Sequence, residues 1–172
     1  MKKRKPEQVF QDRARAFNTL RFQWEIGRKV AGSARPGRAG DMAADFALLR
    51  EKGIRFIVNL TCSELTVPAE YSDAFEVLHI PVVDGQPPDL EQLDRIIHRV
   101  RDAVSRDRPA LIHCRGGIGR TATVLVPLIM TLEDLTLEEA TTRLRKSGRY
   151  TQSGEQRAFL ESWSRSRRKP NG

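Results

Sequence analysis

An α/β domain built on a mostly parallel central sheet is what this 172-residue chain predicts, and three observations predict it. Short β-rich runs alternate with longer segments of helical periodicity, as in strand-helix-strand units. With 39% hydrophobic and 30% charged residues, the chain can bury the core of one domain. Its two cysteines cannot form a disulfide framework, and no apolar run is long enough to span a bilayer.

The elements follow in chain order. Glu7 to Asn18 reads as a helix, and Trp24, Ile26 and Val30 mark a short hairpin that ends in a Gly/Pro turn. Asp41 to Lys52 is a helix whose apolar side is Met42, Phe46, Leu48 and Leu49, closed by Gly53. Ile54 to Leu60 and Phe75 to Val82 are buried strands. Asp89 is a good N-cap for a helix from Leu90 to Ser105, where Leu93, Ile96, Ile97, Val100 and Val104 recur at helical spacing. "PALIHC" is the next strand, and helices are expected near 119–131, 136–146 and 153–165. The first hairpin leaves room for some antiparallel pairing.

The formal net charge of +8 favours an anionic partner without choosing among a phosphorylated substrate, a nucleic acid and a membrane surface. Part of it lies in Lys2 to Lys5 and Arg165 to Lys169, read as solvated tails. No aromatic residues are interleaved with these cations, so no stable nucleic-acid complex is expected. The N-terminal "MKKRKPEQ" lacks the apolar stretch of a signal peptide. A reducing, cytoplasmic setting and a monomer are the expectation.

In such sheets ligands bind beyond the carboxyl ends of the strands, where "HCRGGIGRT" (113–121) places a cysteine between a histidine and an arginine. Gly116, Gly117 and Gly119 permit a sharp turn that aims several N–H groups, and the start of the following helix, at one anion. The planar fork of Arg120 can grip two phosphoryl oxygens, which a lysine cannot reproduce. A thiol on the floor of this positive site has its anion stabilised, so Cys114 is expected to be a thiolate nucleophile. In-line attack on phosphorus then gives a cysteinyl phosphate, with the loop amides and Arg120 stabilising the transition state. The Thr121 hydroxyl is placed to donate to the sulfur as it leaves. No metal or other cofactor is required.

The stretch resembles the signature of the cysteine-dependent protein tyrosine and dual-specificity phosphatases: His-Cys, five residues, Arg, Ser/Thr. All its fixed positions match. The similarity extends over Phe22 to Trp163 and is nearest to the small atypical dual-specificity members, carried also by "FQWEIGRKVAGSARPG", "LREKGIRFIVNLT" and "TLEEATTRLRKSGRYTQSGEQRAFLESW". It implies a single-domain phosphotyrosine phosphatase-like fold. Cys114 is then the nucleophile, and Arg115, Gly116, Gly117, Ile118, Gly119 and Arg120 form the phosphate-binding loop. His113 orients the loop and tunes the thiol. The domain is expected at 22–165, with a basic, helical extension at 1–21 and a basic tail at 166–172.

Ester cleavage also needs a proton for the leaving oxygen. "HIPVVDGQPPDLEQL" offers Asp84 and Asp89; Asp89 is accounted for as a cap, and the family's acid loop resembles the surroundings of Asp84. An ordinary turn aspartate is the plain alternative. By the resemblance Gln156 helps place the hydrolytic water, against a surface helical glutamine. Cys62 resembles in placement a cysteine that bonds to the nucleophile on oxidation, against a buried core cysteine.

Two departures stand out. Pro127 is expected to interrupt and kink the helix after the loop, displacing its far end. Arg115 is a second cation that leaves room for a more highly charged substrate. The implied activity is hydrolysis of phosphotyrosine, extending to phosphoserine and phosphothreonine, on a phosphorylated protein or peptide. A phosphoinositide or RNA 5′-phosphate phosphatase and a catalytically weak phosphate-binding module stand as alternatives.

Overall fold

The computed structural model describes residues 19–167. The helix expected at Glu7 to Asn18 lies outside them, as does the tail beyond Arg167. A five-stranded sheet runs in the order β1-β2-β5-β3-β4, from β1 (Gln23–Ile26), β2 (Val30–Ser33), β3 (Phe56–Asn59), β4 (Glu76–His79) and β5 (Ala110–His113). β1 pairs antiparallel with β2 through a tight turn at Gly27, while every other pairing is parallel.

Period-two alternation sends successive strand residues to opposite faces, which divides the core in two. Phe56, Val58, Ile112 and Cys114 face one side, with Leu93, Val124, Leu144 and Leu160 from the helices. Ile57, Leu111 and Ala31 face the other, covered by Phe46 and Leu49 of α1 (Met42–Glu51). The first layer holds α2 (Leu90–Ser105), α3 (Gly119–Leu132), α4 (Leu137–Lys146) and α5 (Gly154–Arg167). Each fully buried side chain of this size contributes about 1.5–3 kcal/mol. Asp89 caps α2 as expected, its carboxylate accepting from Gln92 N at 2.7 Å.

Three expectations need correction. α3 runs unbroken through Pro127 to Leu132; every residue from Gly119 to Met130 is buried, so packing on all sides holds the helix across the missing N–H. The N-terminal boundary at 21 falls too late, because Leu20 is 1% exposed within the second core and its carbonyl accepts from Ala34 N at 2.7 Å. At the other end α5 continues through Arg167, two residues into the segment assigned to the tail.

Candidate active site

The parallel register brings the carboxyl ends of β2, β3 and β5 to one edge, with His113 opposite both Ser33 and Asn59. Cys114 leaves the sheet there, 3% exposed and unpaired. The chain turns at once into α3, and the turn rests on Gly117, whose φ of +71° strains any other residue. A Cβ at Gly117 would also stand 2.5 Å from the Ser33 carbonyl. Gly116, by contrast, faces open space. The Gly117 N–H donates to Cys114 Sγ at 3.3 Å, so one loop amide already points at the sulfur.

Arg120 sits in the first turn of α3, buried under the edge. Its Nη1 donates to the carbonyls of Val82 at 2.9 Å and Leu60 at 3.4 Å. Nη2 lies 2.9 Å from Asp84 Oδ1, an ion pair between a guanidinium 6% exposed and a carboxylate 78% exposed. Nε is buried and has no partner. A buried orphan donor costs about 1–3 kcal/mol, and an oxyanion on the loop would satisfy it. The Thr121 hydroxyl is likewise buried without a partner and does not bond the sulfur.

His113 is fully buried, and burial, ahead of the nearby cations, pulls its pKa down to about 3. The ring is therefore neutral. Its Nδ1 donates to the Cys114 carbonyl at 3.4 Å, leaving Nε2 as a bare lone pair with no partner.

The loop's main support comes from Arg149, which the sequence reading overlooked. This guanidinium donates to the carbonyls of Gly117 at 2.6 Å, Gly32 at 2.6 Å and Arg21 at 2.8 Å, and its Nε to Glu25 Oε1 at 2.7 Å. Burial raises the Glu25 pKa and lowers that of Arg149, each against the pull of its partner, as for any ion pair taken out of water. Gly32 is obligatory beneath it, since a Cβ there would stand 2.5 Å from Arg149 Nε. On the opposite flank Arg35 N donates to the Arg115 carbonyl, while its guanidinium holds Thr61, Ser63 and Glu64. Asn59 organises that same turn through Thr61 and Ser63.

The segment leading into α5 closes the third side. Gln152 Oε1 accepts from Gly119 N at 3.1 Å, so the glutamine in contact with the phosphate loop is Gln152. Gln156, the one nominated from sequence, is buried and held at both ends, its Oε1 by Gln152 N at 2.8 Å and its Nε2 by the Gln86 carbonyl at 3.4 Å. Through Gln86 it braces the Asp84 loop. Ser153 Oγ adds a bond to the Gly85 carbonyl at 2.6 Å.

Cys62 is exposed, not the buried core cysteine weighed against its redox role. Its Sγ donates to the Val82 carbonyl at 3.7 Å, the oxygen that Arg120 also uses. Both cysteines carry free thiols. Arg115 is exposed at the mouth of the loop. Among the described residues no cluster of three or more His, Cys, Asp or Glu is placed to hold a metal ion. No helix among them is long and apolar enough to cross a membrane.

Comparison with known proteins gives a consistent answer. A family described as "Polymorphic toxin system, DSP-PTPase phosphatase" matches residues 31–133. Dual specificity protein phosphatase 12 of Rattus norvegicus is 35% identical over 94 residues, 54% of this chain and 27% of the relative. Dual specificity protein phosphatase 14 of Mus musculus is 26% identical over 113 residues, 65% of this chain and 55% of the relative. The chain thus spans about a quarter to a half of the length of these curated relatives. Among solved structures, the active form of Tk-PTP superposes with a TM-score of 0.72 at 28% identity, covering 84% of this chain and 96% of that one.

Proposed function

Since the chain belongs to the dual-specificity phosphatase-like family of polymorphic toxin systems, we propose that it hydrolyses phosphate monoesters on proteins, phosphotyrosine first and phosphoserine or phosphothreonine as well. The observation that carries this reading is the buried Arg120 Nε, an unpartnered donor six residues after a free thiol that already accepts an amide of the same loop. Dianionic phosphate fits both features.

The steps are assigned to residues as follows. Phosphate settles on the amides of Arg115 to Arg120 and takes Nε and Nη2 of Arg120, which displaces Asp84 from Nη2. Cys114 Sγ attacks phosphorus in line; the S–P bond forms as the P–O bond to the leaving group breaks. Protonated Asp84 supplies the proton to that leaving oxygen. Asp84, now a carboxylate, takes a proton from the water that attacks the cysteinyl phosphate. Thr121 donates to the sulfur as it departs, and phosphate leaves. The neutral ring of His113 holds the Cys114 carbonyl throughout.

The relatives are dual specificity protein phosphatases, which favours protein substrates over the phosphoinositide and RNA alternatives that Arg115 raised. Free thiol chemistry of this kind needs reducing surroundings, and we place its action in the cytoplasm. The test is inorganic phosphate release, without added metal and under reductant, from a phosphotyrosine peptide, a phosphoinositide and a 5′-triphosphate RNA. Fastest release from the peptide, lost in Cys114→Ser, is the expected result. Fastest release from either other substrate would reassign the substrate class, and binding without release would leave only a phosphate-binding module.

A further inference from the structure

Outside the catalytic edge, a cleft of about 520 Å³ opens between α4 and α5, a volume within the usual range for ligand sites. Its walls are two helical stripes: Glu138, Thr141 and Arg145 on α4, and Arg157, Leu160, Glu161 and Arg165 on α5. Thr151, in the link between the helices, closes one end. Arg145 lies in the last turn of α4 and Arg157 in the first turn of α5, on either side of Thr151 in the chain, with Glu138 and Arg165 at the far ends of the two helices. No ion pair among the described residues engages these arginines. Three arginines against two glutamates, Glu138 and Glu161, leave the lining with an excess of positive charge, and an anion at the end where Arg145 and Arg157 lie offsets it.

Position gives the cleft its use. Thr151 lines it, and the next residue, Gln152, touches the phosphate loop at Gly119. From Gln152 to Arg157 the chain covers about 10 Å, the reach of roughly three extended residues. Given the phosphatase reading above, we propose that this cleft docks an acidic segment of the phosphoprotein substrate, with carboxylates about three to five residues from the phosphorylated side chain engaging Arg145 and Arg157. The cleft would then select among phosphoproteins while the phosphate loop performs the same chemistry on all of them.

The test pairs two readouts on the full chain and on an Arg145→Gln/Arg157→Gln variant, whose melting temperature is checked first. Turnover is measured on an aryl phosphate and on two phosphotyrosine peptides of equal length, one with an acidic flank and one with a neutral flank. The expected result is a preference for the acidic peptide of about tenfold in kcat/KM, the combined effect of two partly screened ion pairs. The preference disappears in the variant and shrinks at high salt, with the aryl phosphate unchanged. A preference that survives in the variant, or an equal loss on the aryl phosphate, overturns the proposal. Fluorescence anisotropy of the unphosphorylated acidic peptide is the second readout. If no substrate releases phosphate, the phosphatase reading has failed, and this measurement still tests the cleft: peptide binding lost in the variant supports docking, and no binding overturns it. Equal displacement by a single-stranded RNA of matching charge would assign the cleft to nucleic acid and also overturn it.

Discussion

The phosphate loop and the Asp84 loop meet over Arg120, yet they are held in opposite ways. Beneath the first lie a buried ion pair, a neutral buried histidine and a glycine that admits no side chain. The second ends in an exposed carboxylate that meets Arg120, and past that residue it is tied back by single bonds from Ser153 to Gly85 and from Gln156 to Gln86. Preorganised donors for a transition state should not move, whereas a group that must exchange protons with leaving group and water needs solvent access. The comparison predicts that damage to the first loop costs both fold and catalysis, and damage to the second costs catalysis alone.

Gly117→Ala is the largest break. The new methyl meets the Ser33 backbone at 2.5 Å, and the positive φ is strained as well, so the loop must shift its amides off the phosphate. Removing one oxyanion donor costs a factor of about 10²–10³; displacing several should reduce kcat/KM on an aryl phosphate by at least about 10³. Gly116→Ala, with open space at its Cβ position, should be nearly silent in the same assay. Equal effects at the two glycines would remove the steric argument.

Arg149→Met attacks the support rather than the loop. It leaves Glu25 buried without its cation, a loss of about 3–5 kcal/mol for such pairs, read as a fall in the denaturation midpoint. If Arg149 also positions the Gly117 carbonyl, kcat falls at temperatures well below the melt, while KM for a small substrate changes little. Glu25→Gln combined with Arg149→Met should lose less stability than the two single losses added together, since the double variant strands no charge. Full additivity would show the pair to be two independent contacts.

These supports also mark where the sequence ceased to be legible. The loop residues are contiguous, and chemistry dictates their spacing, so Cys114 and Arg120 can be read from one dimension, as can α2 with its Asp89 cap. Glu25 and Arg149 are 124 positions apart, and only the β1-β2 hairpin against the segment after α4 brings them together. Gln152 and Gln156 are chemically the same; which one turns toward Gly119 depends on where the helix begins. Pro127 carries an unfavourable local signal that burial on every side outweighs, and Leu20 looked like part of an extension because its partners lie in the second core.

Asp84→Asn tests the other half of the comparison. Loss of the acid should slow release from phosphopeptides about 10²-fold, the usual weight of general acid catalysis, and much less for a nitrophenyl phosphate whose leaving group needs no proton. The melting temperature should stay close to that of the parent, because the side chain is 78% exposed, the asparagine amide oxygen can still accept from Arg120 Nη2, and Nη1 keeps its bonds to the Val82 and Leu60 carbonyls. A fall in stability comparable with that of Arg149→Met would mean that the two loops form one cooperative unit.

The smallest effect belongs to His113. Its folded pKa of about 3 lies below the unfolded value of 6.5, so between those limits the unfolded chain binds a proton that the folded chain does not. Stability from this group is complete above pH 6.5 and falls with decreasing pH, by about 1.4 kcal/mol per unit while the difference is one proton. Glu25 and Asp45, whose pKa values burial raises, act with the opposite sign as the carboxylates begin to titrate, so the histidine slope is cleanest between pH 6.5 and 5.5. Denaturant midpoints measured across that unit should decline in the parent and stay level in His113→Asn. Because this ring holds the Cys114 carbonyl and the Asp84 loop has no equivalent, Asp84→Asn should keep the parent's slope; a flattened slope there would place the histidine's protonation under the control of the exposed loop.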